Sequence, residues 1–150
     1  MSNDSDKITM DTDDSLYDDP IYMELTKIYS PEAIERWIEP DNFGPIDNAD
    51  AHASLTGSCG DNMEIFLKFN NDRVEKSTYM TDGCSSSNIC GSFAAALALG
   101  KTPDEIVDIS DKDIIDKVGG LPEGDMHCAF LAAATLQAAL DVYMKKQRDK

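Results

Sequence analysis

The chain has 150 residues and a formal net charge of −16, with 41% hydrophobic and 7% aromatic residues. That length suits one domain with a core that needs no disulfide staples, and the acidity excludes nucleic acid and anionic membrane as partners. There is no apolar run of about 18 residues to span a membrane. The start, Met1-Ser2-Asn3-Asp4-Ser5-Asp6, lacks the apolar centre of a signal peptide. A cytoplasmic location is therefore expected, where the four cysteines are thiols or metal ligands rather than disulfides.

Residues 1–19 hold seven Asp and one Lys, a net of −6 that leaves −10 on the remainder. They lack hydrophobic periodicity and read as a disordered acidic tail, followed by one domain over residues 20–150. Pro20 to Tyr29 predicts a short helix with Ile21, Leu25 and Ile28 on one face. Ser30-Pro31-Glu32 then starts a second helix, with Ser as N-cap and Pro in the first turn. Ala33, Ile34, Trp37 and Ile38 give its apolar spacing, and Glu39-Pro40 ends it. Trp37 reads as a packing residue. Asp41 to Asp50 is loop.

Ala51 to Ser58 reads as a strand, with His52 on its surface. In the next run Met63, Ile65, Leu67 and Phe69 alternate with Glu64, Phe66 and Lys68. Asn70-Asn71-Asp72 turns the chain into a partner strand, Arg73 to Thr81, which makes a hairpin. From residue 84 the period changes. Ser85 to Leu99 is small or apolar nearly throughout, the pattern of a helix buried on most sides, and Gly100 ends it. Helix starts follow at Thr102-Pro103-Asp104-Glu105 and Ser110-Asp111-Lys112-Asp113, the latter stopped by Gly119-Gly120. Leu121 to Asp125 reads as loop. The last helix runs from His127 to about Lys146, with Phe130, Leu131, Ala134, Ala138 and Val142 facing inward and cations in its final turn. Strands first and helices after give an α+β class.

Three short pieces hold the reactive side chains: Cys59-Gly60-Asp61, Gly83-Cys84-Ser85 and His127-Cys128. Glycines beside Cys59 would let backbone approach a bound ion closely. Cys84 and Cys128 each stand at a helix start, where exposed N–H groups favour the thiolate. Three thiolates with an oxygen or nitrogen donor could hold zinc or an iron–sulfur cluster. The spacings match neither a zinc ribbon nor a ferredoxin, so buried or reactive thiols stay open as readings. A further one makes Cys128 a nucleophile with His127 or Asp61 as base. Gly100-Lys101-Thr102 is not a phosphate loop, because residue 95 is Ala where that motif needs Gly.

From about Tyr29 onward the chain resembles the IscU/NifU-type iron–sulfur cluster assembly scaffold proteins. The matching pieces are Tyr29-Ser30, Pro40-Asp41-Asn42-Phe43-Gly44, Cys59-Gly60-Asp61 with Met63, Gly83-Cys84, Gly100-Lys101, Leu121-Pro122 and His127-Cys128 with Leu131-Ala132. The resemblance implies a SufE/NifU-like fold, a three-stranded antiparallel sheet packed against several helices. It implies a scaffold rather than an enzyme. A transient 2Fe–2S cluster would be assembled on it from iron and sulfur supplied by a cysteine desulfurase, then passed to apo iron–sulfur acceptor proteins. By position Cys59, Cys84 and Cys128 would be thiolate ligands, with Asp61 or His127 completing coordination, and Cys128 would accept persulfide sulfur. Zinc in the same site is the alternative, making the protein a zinc-binding adaptor of the desulfurase. A monomer or a cluster-bridged dimer is implied.

Departures from the family pattern are local. Leu121-Pro122 is followed by Glu123-Gly124-Asp125 rather than Pro-Val-Lys, which argues against recognition by the dedicated chaperone and puts an acid where a lysine is usual. Gly57 replaces a common proline. Cys90 lies six residues past Cys84, about 240° around a helix of about 3.6 residues per turn, and reads as a core residue.

Overall fold

The structure is a computed structural model that describes residues 20–58 and 60–149, apart from the side chains of residues 21 and 22. The acidic tail expected over residues 1–19, the side chain of Ile21 and all of Cys59 lie outside the described residues. Two helices, α1 (Pro20–Leu25) and α2 (Pro31–Ile38), precede the strands β1 (Ala51–Thr56), β2 (Asn62–Asn70) and β3 (Arg73–Thr81). Four helices follow: α3 (Ser85–Ala98), α4 (Pro103–Val107), α5 (Asp111–Val118) and α6 (Met126–Arg148). A 3-10 turn, Glu123–Asp125, leads into α6. None of the described helices is long and apolar enough to cross a membrane.

The expected hairpin forms. Asn71 and Asp72 both take positive φ, 55° and 63°, as a two-residue primed turn requires, and Asn70 pairs with Arg73. The sheet is antiparallel in the order β1-β2-β3. Alternation then decides the faces. Met63, Ile65 and Leu67 are fully buried under α3 and α6, while His52 on the other face stacks on Phe66 and bonds Glu64 at 2.8 Å. α6 packs along β1 and β2, and α3 lies on β3 and against α6. Gly91 permits the close approach of α3: a Cβ there would stand 2.7 Å from Tyr79 Cδ2 and 2.8 Å from Met63 Sδ.

The caps form as their residues predict. Ser30 Oγ accepts from Ala33 N at 3.2 Å and donates to Val118 O at 2.9 Å. One serine thus starts α2 and ties it to the last turn of α5. Thr102 with Glu105, and Ser110 with Asp113, make capping boxes. Trp37 packs partly buried against the core.

Three expectations are corrected. Ile28 lies beyond α1 and is exposed. Leu121 to Asp125 is not all loop, because Glu123–Asp125 forms the 3-10 turn. Phe130 points outward, 65% exposed, while Leu131, Thr135, Leu136, Ala139 and Leu140 are buried. α6 carries apolar or alanine residues on nearly every side, so its sequence gives little amphipathic contrast from which to choose a face.

Candidate metal centre

One end of the sheet gathers the reactive residues. The β1–β2 turn closes through Gly60 N to Gly57 O at 3.0 Å and Gly57 N to Asp61 O at 2.8 Å, with Gly60 at φ 92°. Two side chains stitch this turn to the β3–α3 connection. Asp82 Oδ1 accepts from Asn62 N at 2.9 Å, and Thr81 Oγ1 donates to Asn62 O at 2.6 Å while accepting from Gly83 N at 3.1 Å. Gly83 makes room for the carboxylate beside it: a Cβ there would stand 2.6 Å from Asp61 Cγ and 2.9 Å from Ser87 Cβ. Cys84 is the residue that caps α3, in extended backbone. The Asn88 amide donates to the carbonyls of Gly83 and Cys84 at 3.3 and 3.1 Å, fixing that corner. Cys128 arrives from the first turn of α6.

Asp61, Cys84 and Cys128 each present one donor atom, and these atoms all lie within 4.8 Å of one another. Cys84 is exposed, Asp61 half-buried and Cys128 fully buried, so the cluster opens to solvent at Cys84 and is floored by Cys128. A tetrahedral ion with metal–sulfur bonds of about 2.3 Å would separate two sulfurs by about 3.8 Å. The donor set fits such an ion with little rearrangement, and its softness favours zinc or iron–sulfur species over magnesium or calcium. His127 Nε2 lies 3.7 Å from Cys128 Sγ, beside the three-donor group rather than within it. Cys90 is fully buried in α3 and outside the group, as a core residue should be. Burial pushes its thiol far up from the ordinary range.

The helix-start expectation for Cys128 is corrected by burial. Desolvation pushes its pKa up to about 12, against the opposing pull of the Ser87 hydroxyl; the Cys84 and Asp125 side chains add to the rise. Without a bound cation Cys128 is therefore a neutral thiol near pH 7. A cation entering the cluster must displace that proton.

Adjacent serines in the first turn of α3 bond across this corner; the sequence marks a Ser-rich helix start there without assigning either hydroxyl a role. Ser87 Oγ lies 2.7 Å from Asp61 Oδ2, 3.4 Å from Cys128 Sγ and 3.9 Å from Cys84 Sγ. Ser86 donates to Asp125 Oδ2 at 2.8 Å and accepts from Tyr29 Oη in a short hydrogen bond. Both serines are fully buried. The available signal was a polar triplet, Ser85-Ser86-Ser87, opening a helix that is otherwise apolar. Buried hydroxyls there require partners.

Comparison with known proteins agrees with this architecture. Residues 28–150 match the family described as NifU-like N terminal domain. The chain is 34% identical over 120 residues to "Iron-sulfur cluster assembly scaffold protein IscU 1" of Archaeoglobus fulgidus, covering 79% of this chain and 78% of that one. It is 33% identical over 129 residues to "Iron-sulfur cluster assembly protein IscU" of Plasmodium falciparum, covering 83% and 79%. In fold it is similar to a crystal structure of a putative iron–sulfur cluster assembly scaffold protein for the SUF system from Fervidobacterium islandicum, with TM-score 0.59 and 21% identity over 76% of this chain and 97% of that one. With a matching fold, a match over its last 123 residues and relatives at this identity, the chain belongs to the NifU-like N-terminal domain family.

Proposed function

We propose that the protein is an iron–sulfur cluster assembly scaffold, a carrier rather than a catalyst. The observation that carries this reading is the convergence of Asp61, Cys84 and Cys128 at a solvent-facing corner in a chain whose relatives are named as such scaffolds. The cargo is a 2Fe–2S cluster built from iron and sulfur drawn from a cysteine desulfurase, and its destinations are apo iron–sulfur proteins. Cys59, Cys84 and Cys128 are its thiolate ligands, and Asp61 or His127 completes the set.

The chemistry of the donors supports a temporary hold. Four thiolates would bind a cluster firmly. A carboxylate or imidazole in the fourth place exchanges and protonates more readily, which gives the cluster a route out. Sulfur arrives at Cys128: once exposed to water its thiol gives up its proton to solvent, the thiolate attacks the outer sulfur of the donor's persulfide, a new S–S bond forms on Cys128, and the donor's cysteine leaves as thiolate. Cys128 is fully buried, so the 3-10 turn ahead of it must shift for that step. Gly119 and Gly120, both at positive φ, and Gly124 allow that movement.

Anaerobic incubation with iron, cysteine and a cysteine desulfurase tests the reading. Charge-transfer absorption in the visible that is lost from this protein as it appears on an apo-ferredoxin is the expected result. Retention of zinc, with no colour and no transfer, would instead make it a zinc-binding adaptor.

A further inference from the structure

A hydroxyl that belongs to no cysteine, aspartate or histidine lies within 4 Å of all three donor side chains. Ser87 Oγ is 2.7 Å from Asp61 Oδ2, 3.4 Å from Cys128 Sγ and 3.9 Å from Cys84 Sγ. The side chain is fully buried on the first turn of α3. A hydroxyl has one proton and two lone pairs. At 2.7 Å the Asp61 carboxylate takes the proton in a charge-assisted bond. The same hydroxyl reaches Cys128 Sγ at 3.4 Å as the longer of its two contacts, so one group touches both side chains.

The contacts of Gly83 show that this arrangement is built for close approach. A side chain at Gly83 would enter the space shared by the Asp61 carboxylate and Ser87 Cβ. The Asp61 turn and the start of α6 come from distant parts of the chain, 26 and 41 residues from Ser87. They meet on this one hydroxyl.

We propose that Ser87 is the positioning residue of the metal-binding corner: its hydroxyl registers Asp61 and Cys128 against Cys84 before any ion arrives. The inference rests on the scaffold reading only in taking these three donors as ligands. Hydrogen-bond partners of ligands fix their orientation, and losing one costs about 10–100-fold in metal affinity.

The test uses the full chain, reduced and anaerobic, titrated with Co²⁺ and then with competing Zn²⁺. Thiolate-to-Co²⁺ charge-transfer absorption reports how many sulfurs bind. Ser87→Ala, which removes one oxygen from a helix that favours alanine, is expected to weaken Co²⁺ and Zn²⁺ binding about 10–100-fold. The thermal midpoint of the metal-free protein, measured in parallel, separates this loss from unfolding. In an Asp61→Ala background the same substitution should cost clearly less, because the hydroxyl then has one ligand fewer to register. Wild-type affinity in Ser87→Ala, or an equal loss in both backgrounds, overturns the role of Ser87 while leaving the site standing. A wild-type protein that binds Co²⁺ without thiolate charge transfer overturns the site itself, and the role of Ser87 with it.

Discussion

The two ends of the sheet are built on opposite principles. At one end β2 and β3 close through Asn71-Asp72, Phe69 stacks on Tyr143 with ring centroids 3.6 Å apart, and Tyr143 Oη donates to Asp72 Oδ1 at 3.0 Å. Backbone turn and aromatic packing hold it. At the other end the turn after β1, the connection after β3 and the start of α6 are joined by short side-chain hydrogen bonds through Asp61, Thr81, Asp82, Ser86 and Ser87. The first end contributes stability. The second spends buried polar groups on holding donor atoms in place, so substitutions at the two ends should separate folding from binding.

The largest separation is expected from Tyr143→Ala. Loss of the ring from its partly enclosed stack should cost about 3–5 kcal/mol, read as a lowered denaturation midpoint, with Co²⁺ stoichiometry and charge-transfer intensity unchanged. Gly83→Ala should do the reverse. Its Cβ would displace Asp61 and Ser87, so metal affinity falls steeply while overpacking costs about 1–3 kcal/mol. Ser86→Ala leaves the Asp125 carboxylate and the Tyr29 hydroxyl without a shared partner and should cost about 1–3 kcal/mol, measured by urea unfolding. Tyr143→Phe, which removes only the bond to Asp72, should cost about 1 kcal/mol.

Alkaline pH sharpens the same contrast. In the metal-free fold Cys128 and Tyr143 are both pushed up to about 12, by burial first, and the Asp72 carboxylate also raises Tyr143. Raised values mean that the folded state holds these protons more tightly than the unfolded chain. The resulting stability is complete below the ordinary thiol and phenol ranges and is lost as pH rises toward 12. Cys128→Ala should flatten the part of that decline that starts at lower pH, and Tyr143→Phe the later part. Metal binding has the opposite sign: it displaces the Cys128 proton, so affinity should increase with pH.

Much of this architecture was legible because local rules agreed with one another. Period-two alternation in Met63–Phe69 placed the buried face of β2, and Ser30, Thr102 and Ser110 announced helix starts that the structure contains. The facing of α6 was not legible. Leu131 was expected inward and is, whereas Phe130 was expected inward and is exposed, since a helix rich in alanine packs equally well by sequence on several sides. Within the site, the structure brings Asp61, Cys84 and Cys128 together and sets His127 beside them. It also adds what no spacing could reveal: two serine hydroxyls receive a turn and a helix start from far along the chain. The helix-start rule for thiolates failed at Cys128 because desolvation outweighs the dipole at a fully buried sulfur.

In the proposed scaffold an exchangeable fourth ligand lets the cargo leave, and Asp61 is the oxygen donor grouped with Cys84 and Cys128. The most direct measurement is the rate of cluster transfer to an apo-ferredoxin from wild type and from Asp61→Ala, each loaded anaerobically. Slower transfer and a longer-lived bound cluster in Asp61→Ala are the predicted result. Transfer from Asp61→Ala as fast as from wild type, or faster, would contradict it.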